Sequence, residues 1–211
     1  MKIFCIVPVK RLSGIKSRLS SILKPTDRMK LNLRMLEDVI SSINASKSID
    51  ETIVVSPDKE VLQLARRLDV DSLDEKSEHG VNEAVRKATW ICLDRQADSS
   101  LVLPSDIPLI TSLDVDRIVG MADLTTSVVM TPSLRLDGTN ALLRSPPTVM
   151  KTFYDQNSYT LHHQEALNLN LNFKRYLSRR VMLDLDTPAD TEEFMRIESE
   201  TLTHEFLKAI L

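Results

Sequence analysis

Residues 101–109 read Leu-Val-Leu-Pro-Ser-Asp-Ile-Pro-Leu, and their reading decides the fold. A short apolar run that stops at proline has the length and the bounding residue of a buried strand end. Asp106 then stands between Pro104 and Pro108, on a turn whose backbone the two rings stiffen. A surface loop has no need of a carboxylate mounted in that way. A metal site does.

The neighbouring segments repeat the pattern. Lys2–Val9 is an apolar, β-rich run containing Pro8, and Glu51–Pro57 (ETIVVSP) is a second strand ended by proline. Between them, Thr26 or Asp27 can cap a helix running to about Asn44, with Leu33, Leu36, Val39, Ile40 and Ile43 as its buried stripe. Residues 58–70 predict an amphipathic helix, with a short strand near Val70, and residues 81–96 predict another helix leading into the strand before Asp106. Beyond Ser112 come a short helix, strands over 125–132 (TTSVVMTP) and 140–146 (NALLRSP), and a helix over Tyr159–Asn170. Residues 179–188 (RRVMLDLDTP) predict a strand and its exit turn, and a polar-faced helix closes the chain. Strands alternating with helices imply a mostly parallel sheet with helices on both faces. The expectation is one α/β domain over residues 1–211, with an irregular insertion at about 136–158.

Composition narrows the function classes. A length of 211 residues suits one domain, and 42% hydrophobic with 27% charged residues is ordinary for a soluble globular chain. The net charge of −3 argues against a dedicated nucleic-acid binder. The first ten residues read as an opening strand rather than a signal peptide, and no apolar run approaches the roughly 20 residues of a membrane span. Cys5 and Cys92 lack metal-ligand spacing, so buried thiols in a reducing cytoplasm are expected.

Local charge says more than net charge. Residues 10–18 (KRLSGIKSR) carry Lys10, Arg11, Lys16 and Arg18 and no acid, which suits a small anionic ligand or a merely solvated loop. Of four glycines, Gly14, Gly80 and Gly138 fall in suspected site loops and Gly120 does not. There is no G-x-G-x-x-G and no G-x-x-x-x-G-K-[ST], which removes the usual warrants for a dinucleotide or P-loop enzyme. In parallel α/β sheets ligands bind beyond the carboxyl ends of the strands. The basic loop, Asp106 and residues 184–188 (DLDTP) should therefore gather at one sheet edge. Asp106 with Asp184 or Asp186 could hold Mg²⁺, which takes one or two carboxylates and completes its shell with phosphates and water. Helix or turn capping is the competing role for each of these aspartates, with Ser105 and Ser112 as rival caps near Asp106.

Five segments together carry a resemblance: PVK…KSRL at 8–19, LPSDIPL at 103–109, DGTNALL at 137–143, SYTLHHQEA at 158–166 and DLDTPAD at 184–190. They resemble the 2-phospho-L-lactate guanylyltransferases of coenzyme F420 biosynthesis, within the nucleotidyltransferases of glycosyltransferase-A-like Rossmann fold. The resemblance implies transfer of GMP from GTP to the phosphate of 2-phospho-L-lactate with release of pyrophosphate, a Mg²⁺ cofactor and a homodimer. Asp106 and Asp186 match metal positions, with Asp184 as the alternative to Asp186. Lys16, with a catalytic part, and Arg18 would hold the triphosphate, with Pro8 and Lys10 beside them. Gly80 and Asn82 match a segment near the nucleotide, and Pro104 and Ser105 would border the base or ribose. Thr139, Asn140 and Ser158 match acceptor-binding positions. Relatives often carry glycine a few residues before that serine, where this chain has Asp155, which would repel a phosphate and is left out of the site. His162, His163 and His204 are assigned structural roles, and Trp90, among Val85, Ala88 and Ile91, is assigned to the core. The alternatives are phosphoenolpyruvate or another phosphorylated acceptor, and a non-catalytic nucleotide-binding regulator.

Overall fold

A computed structural model describes residues 1–123 and 126–211. Among them seven strands form one sheet in the order β3-β2-β1-β4-β6-β5-β7. The strands are β1 (Ile3–Pro8), β2 (Glu51–Ser56), β3 (Asp71–Asp74), β4 (Ser99–Val102), β5 (Ser127–Pro132), β6 (Thr139–Ser145) and β7 (Asn172–Arg175). Only β6 runs against its neighbours β4 and β5; the other pairings are parallel, with Val7 opposite Val54 and Ile6 opposite Val102. The expected strand start at Thr125 lies outside the described residues.

Eight helices cover the sheet among the described residues: α1 (Pro25–Asn44), α2 (Lys59–Arg67), α3 (Val81–Asp94), α4 (Ser112–Gly120), α5 (Ser158–Asn168), α6 (Arg179–Met182), α7 (Pro188–Met195) and α8 (Leu202–Ile210). The two-residue alternation of the strands divides the core. Cys5, Val7, Val54, Leu101 and Leu143 pack on one face against α1, α2 and α4. Phe4, Ile6, Val55, Val102 and Leu142 pack on the other against α3 and α5. Burial on both faces explains why these strands read as continuous apolar runs. A third, smaller cluster joins Leu19, Leu31, Met35, Leu183, Leu185, Phe194 and Leu207 beside the carboxyl edge of the sheet.

Four expectations are corrected. Residues 179–188 do not form a strand: α6 occupies Arg179–Met182, and an extended but unpaired strap follows. The β-like alternation there is real, because Leu183 and Leu185 are buried in the third cluster, but the strand that pairs with β5 is β7. Of the expected irregular stretch 136–158, Thr139–Ser145 is the fully buried β6, and the irregular parts, 136–138 and 146–157, flank it. The closing helix is two helices, with Asp38 of α1 accepting from the Leu202 and Thr203 amides at the start of α8. Trp90 is 61% exposed. The buried face of α3 is Ala84, Val85, Ala88 and Cys92, and Trp90, two residues past Ala88, points to the opposite side.

Candidate active site

The chain leaves β1 at Pro8 and enters the basic loop. Lys16 takes left-handed backbone angles, φ 53° and ψ 41°, at the start of a 3-10 turn over Ser17–Leu19, whose Leu19 is buried in the third cluster. The Lys16 side chain is only 5% exposed, and its ammonium donates to Asp106 Oδ2 at 2.6 Å and to Asp186 Oδ1. Arg18 stands outward, its guanidinium 3.9 Å from Asp186 Oδ2. Residues 90 and 170 positions apart from Lys16 thus meet it at one sheet edge.

Packing and backbone pairing build this junction. Leu183 and Leu185 anchor the strap, and the Leu185 amide donates to the Asp106 carbonyl at 2.9 Å. The capping alternatives fall away. Thr111 caps α4 with Asp114, and Thr187 caps α7 with Asp190, which Arg135 also grips through two bonds of 2.8 and 3.0 Å. The carboxylates of Asp106 and Asp186 are left to face cations.

Electrostatics follow from this geometry. Burial pushes the Lys16 ammonium down, but the charges of Asp106 and Asp186 outweigh it and hold its pKa above the ordinary value. Burial likewise pushes Asp186 up, and Lys16 outweighs it, leaving that carboxyl below its ordinary value. Asp184 forms no ion pair among the described residues, and the Lys16 charge acts on it only weakly. Burial and then the Asp106 charge push it up to about 6, and the Asn140 amide donates to it at 3.2 Å.

A cleft of about 450 Å³ opens over the junction. Of the expected site residues, Pro8, Lys10, Lys16, Pro104, Ser105, Asp106 and Asp186 line it. Gly80, at φ 90°, starts α3 and lies in a small hollow beside Pro8 and Lys10, adjacent to the cleft rather than in its wall. A larger hollow of about 580 Å³ lies near the opposite strand ends, by Asp50, Glu51 and Asp71. There Arg95 pairs with Glu51 and Asp71, so its charge is neutralised locally.

The three expected acceptor residues form a second group. Ser158 Oγ donates to Thr139 Oγ1 at 3.2 Å, and Thr139 Oγ1 lies 3.0 Å from His162 Nδ1. Asn140 instead spends its amide nitrogen on the Val181 and Met182 carbonyls and on Asp184, tying β6 to the strap. Asn82 faces this side too: its Oδ1 accepts from the Tyr154 amide at 2.8 Å and its Nδ2 donates to Asp155 at 3.2 Å.

Two residues escaped the sequence reading. Tyr154 lines the cleft, stacks edge-on against His162 with centroids 5.0 Å apart, and so joins the two groups. Its hydroxyl is buried without a hydrogen-bond partner among the described residues, and burial raises its pKa well beyond the ordinary value. Glu78 places an acid in the same wall. An aromatic in FYDQNS carries no periodic or motif signal, so only packing reveals Tyr154. Arg11 and Gly14, noted in the basic loop, line the cleft as well.

The carboxylate pair suits a magnesium ion. Lys16 engages one oxygen of each carboxylate, leaving Asp106 Oδ1 and Asp186 Oδ2, the latter 3.9 Å from Arg18, as hard donors. No group of three or more His, Cys, Asp or Glu among the described residues has the arrangement of a self-sufficient metal cage. Two carboxylates supplemented by substrate phosphate is the magnesium pattern.

A Rossmann-like sheet with such a junction at its carboxyl edge is the arrangement expected of a nucleotidyltransferase, and comparison with solved structures agrees on the fold. A nucleotidyl transferase from Methanothermobacter thermautotrophicus superposes with a TM-score of 0.66 at 16% identity, over 99% of each chain. The chain belongs to the family described as guanylyl transferase CofC like, whose family model matches residues 1–211. It is 34% identical to the phosphoenolpyruvate guanylyltransferase of Sphaerobacter thermophilus, over 92% of each chain. It is 33% identical to the 2-phospho-L-lactate guanylyltransferase of Methanocaldococcus vulcanius, over 97% of this chain and 90% of that one.

Proposed function

We propose that this protein transfers GMP from GTP to the phosphate of 2-phospho-L-lactate, releasing pyrophosphate, with Asp106 and Asp186 holding Mg²⁺. The observation that carries the reading is the meeting of Lys16, Asp106 and Asp186 under a cleft lined by the basic loop. An acceptor phosphate oxygen forms a bond to the α-phosphorus of GTP as the bond to the β-phosphate breaks. A phosphate monoester with a second pKa near 6 is largely dianionic at neutral pH, so no general base is needed. Two anions must be brought into line and the charge leaving with pyrophosphate stabilised. Lys16 supplies a fixed buried positive charge, while Lys10, Arg11 and exposed Arg18 draw in the triphosphate. Magnesium, when bound, neutralises phosphate charge between the carboxylates.

Phosphoenolpyruvate is the second reading for the acceptor, favoured by the Sphaerobacter relative's name. Both acceptors present a phosphate monoester next to a carboxylate and differ only in the three-carbon skeleton. The buried free thiols Cys5 and Cys92 support a reducing cytoplasmic setting, and no helix among the described residues is long and apolar enough to cross a membrane. A homodimer completes the reading.

The test supplies Mg²⁺, either acceptor and each nucleoside triphosphate in turn, and follows pyrophosphate. Release with GTP alone supports the proposal, and the faster acceptor identifies the substrate. Equal release with CTP removes guanine specificity, and no release with any pairing leaves a nucleotide-binding regulator.

A further inference from the structure

The sequence gives His162 no function, but the hydrogen bonds around it do. It is fully buried, and its Nε2 accepts from the Phe153 amide at 2.8 Å. A backbone N–H can only donate, so Nε2 carries no proton and the neutral ring carries its proton on Nδ1. That Nδ1–H donates to Thr139 Oγ1 at 3.0 Å.

The proton count of His162, Thr139 and Ser158 then becomes informative. The Nδ1–H is used on Thr139, and the single bond between Ser158 and Thr139 uses one hydroxyl proton. One hydroxyl proton is left over, and it has no acceptor among the described residues. With the other tautomer, Thr139 would donate to Nδ1 and Ser158 to Thr139, leaving no donor at all. The tautomer therefore decides whether this buried trio offers a hydrogen-bond donor or closes on itself. Burial, with the nearby Arg144 cation, lowers the His162 pKa to about 3, so the ring stays neutral across the working range.

We propose that His162 is a positioning residue: by donating from Nδ1 it makes the Thr139–Ser158 pair a hydrogen-bond donor to the phosphate of the acceptor substrate. The inference rests on the acceptor reading above for its ligand, though not for its geometry. Tyr154, packed on His162 and lining the cleft, sets the trio beside the cleft.

Two substitutions separate positioning from simple support of the 153 segment. In His162→Asn the amide nitrogen replaces Nδ1 as donor to Thr139 and abandons Phe153. In His162→Gln the carboxamide oxygen reaches the Nε2 place, serving Phe153 and abandoning Thr139. By the same count His162→Gln keeps a spare hydroxyl proton but loses the Nδ1–H that fixes which hydroxyl offers it and in what direction, and a misdirected hydrogen bond to a charged group weakens binding by about tenfold. His162→Gln should raise the acceptor KM about tenfold with the GTP KM unchanged, and His162→Asn should restore it to near wild type. The opposite ranking, or equal loss in both, would overturn the proposal. Nitrogen-15 NMR of the free wild-type protein should show the Nδ1–H tautomer between pH 5 and 8; the Nε2–H form or a cationic ring also overturns it. The NMR arm needs no turnover. An inactive wild type with the expected tautomer would thus strike the functional reading and not the geometry.

Discussion

Two polar clusters, one lining the cleft and one packed behind Tyr154 beside it, are built on opposite principles. The side proposed for the nucleotide is a junction of full charges, Lys16 between Asp106 and Asp186, partly open to water. The side proposed for the acceptor, Thr139–Ser158–His162, is buried and neutral. A charged junction can exchange partners when triphosphate and metal arrive, because new ions replace old ones. A buried neutral trio cannot rearrange cheaply, since any orphaned group costs its full desolvation. On the proposed function, adaptability serves the nucleotide and preorganisation the acceptor.

The largest predicted effect breaks the charged side. Asp106→Asn keeps the shape of the side chain but removes its charge, and removal of a positioned electrostatic group commonly costs a hundredfold or more. Turnover should fall by at least about that factor with the circular dichroism and melting curve little changed. Activity within tenfold of wild type would mean that Asp106 holds no reacting charge. Next comes the neutral side: Ser158→Ala should raise the acceptor KM about tenfold while leaving the GTP KM alone. A change in the GTP KM instead would merge the two regions.

The pH dependence of stability separates the regions without substrate. His162 is held neutral in the fold, with a pKa near 3, whereas an unfolded histidine titrates near 6.5. Below about pH 6.5 the unfolded chain binds a proton that the native state excludes. The contribution is therefore fully present above that pH and is lost as pH falls toward 3, by about tenfold in the folding equilibrium per pH unit. Urea unfolding at stepped pH measures it, and His162→Gln should flatten the slope over that window. An unchanged slope in the variant would place the acid sensitivity elsewhere.

The charged side was largely legible in the sequence and the neutral side was not. Prolines after apolar runs mark strand ends, and a parallel sheet gathers those ends, so the basic loop and Asp106 could be brought together from the sequence. Asp186, by contrast, was preferred to Asp184 by resemblance and sits on a strap rather than at a strand end. The strap at 183–186 misled because alternation reports burial on one side and not pairing: Leu183 and Leu185 bury without a partner strand. Thr139 and Ser158 were recognisable by resemblance, yet the meaning of His162 depends on the amide of Phe153, nine residues earlier, meeting its ring. No spacing rule encodes that contact. Trp90 failed for a simpler reason, since apolar neighbours in sequence lie on different faces of a helix.

Asp155 supplies the smallest effect and the finest test of the contrast. It is the exposed carboxylate three residues before Ser158, held by Asn82 at 3.2 Å, and it puts a negative charge at the rim of the neutral side. Its repulsion of an incoming phosphate is screened by water, so it is small, on the order of 0.2–1 kcal/mol as for other exposed charge pairs. Asp155→Asn preserves an acceptor for Asn82 and removes the charge. The acceptor KM should fall about two- to threefold, the GTP KM should stay level, and the difference should shrink in high salt. A rise in the acceptor KM would show that Asp155 works by ordering the 154–157 turn through Asn82, and that its charge is immaterial to the neutral side.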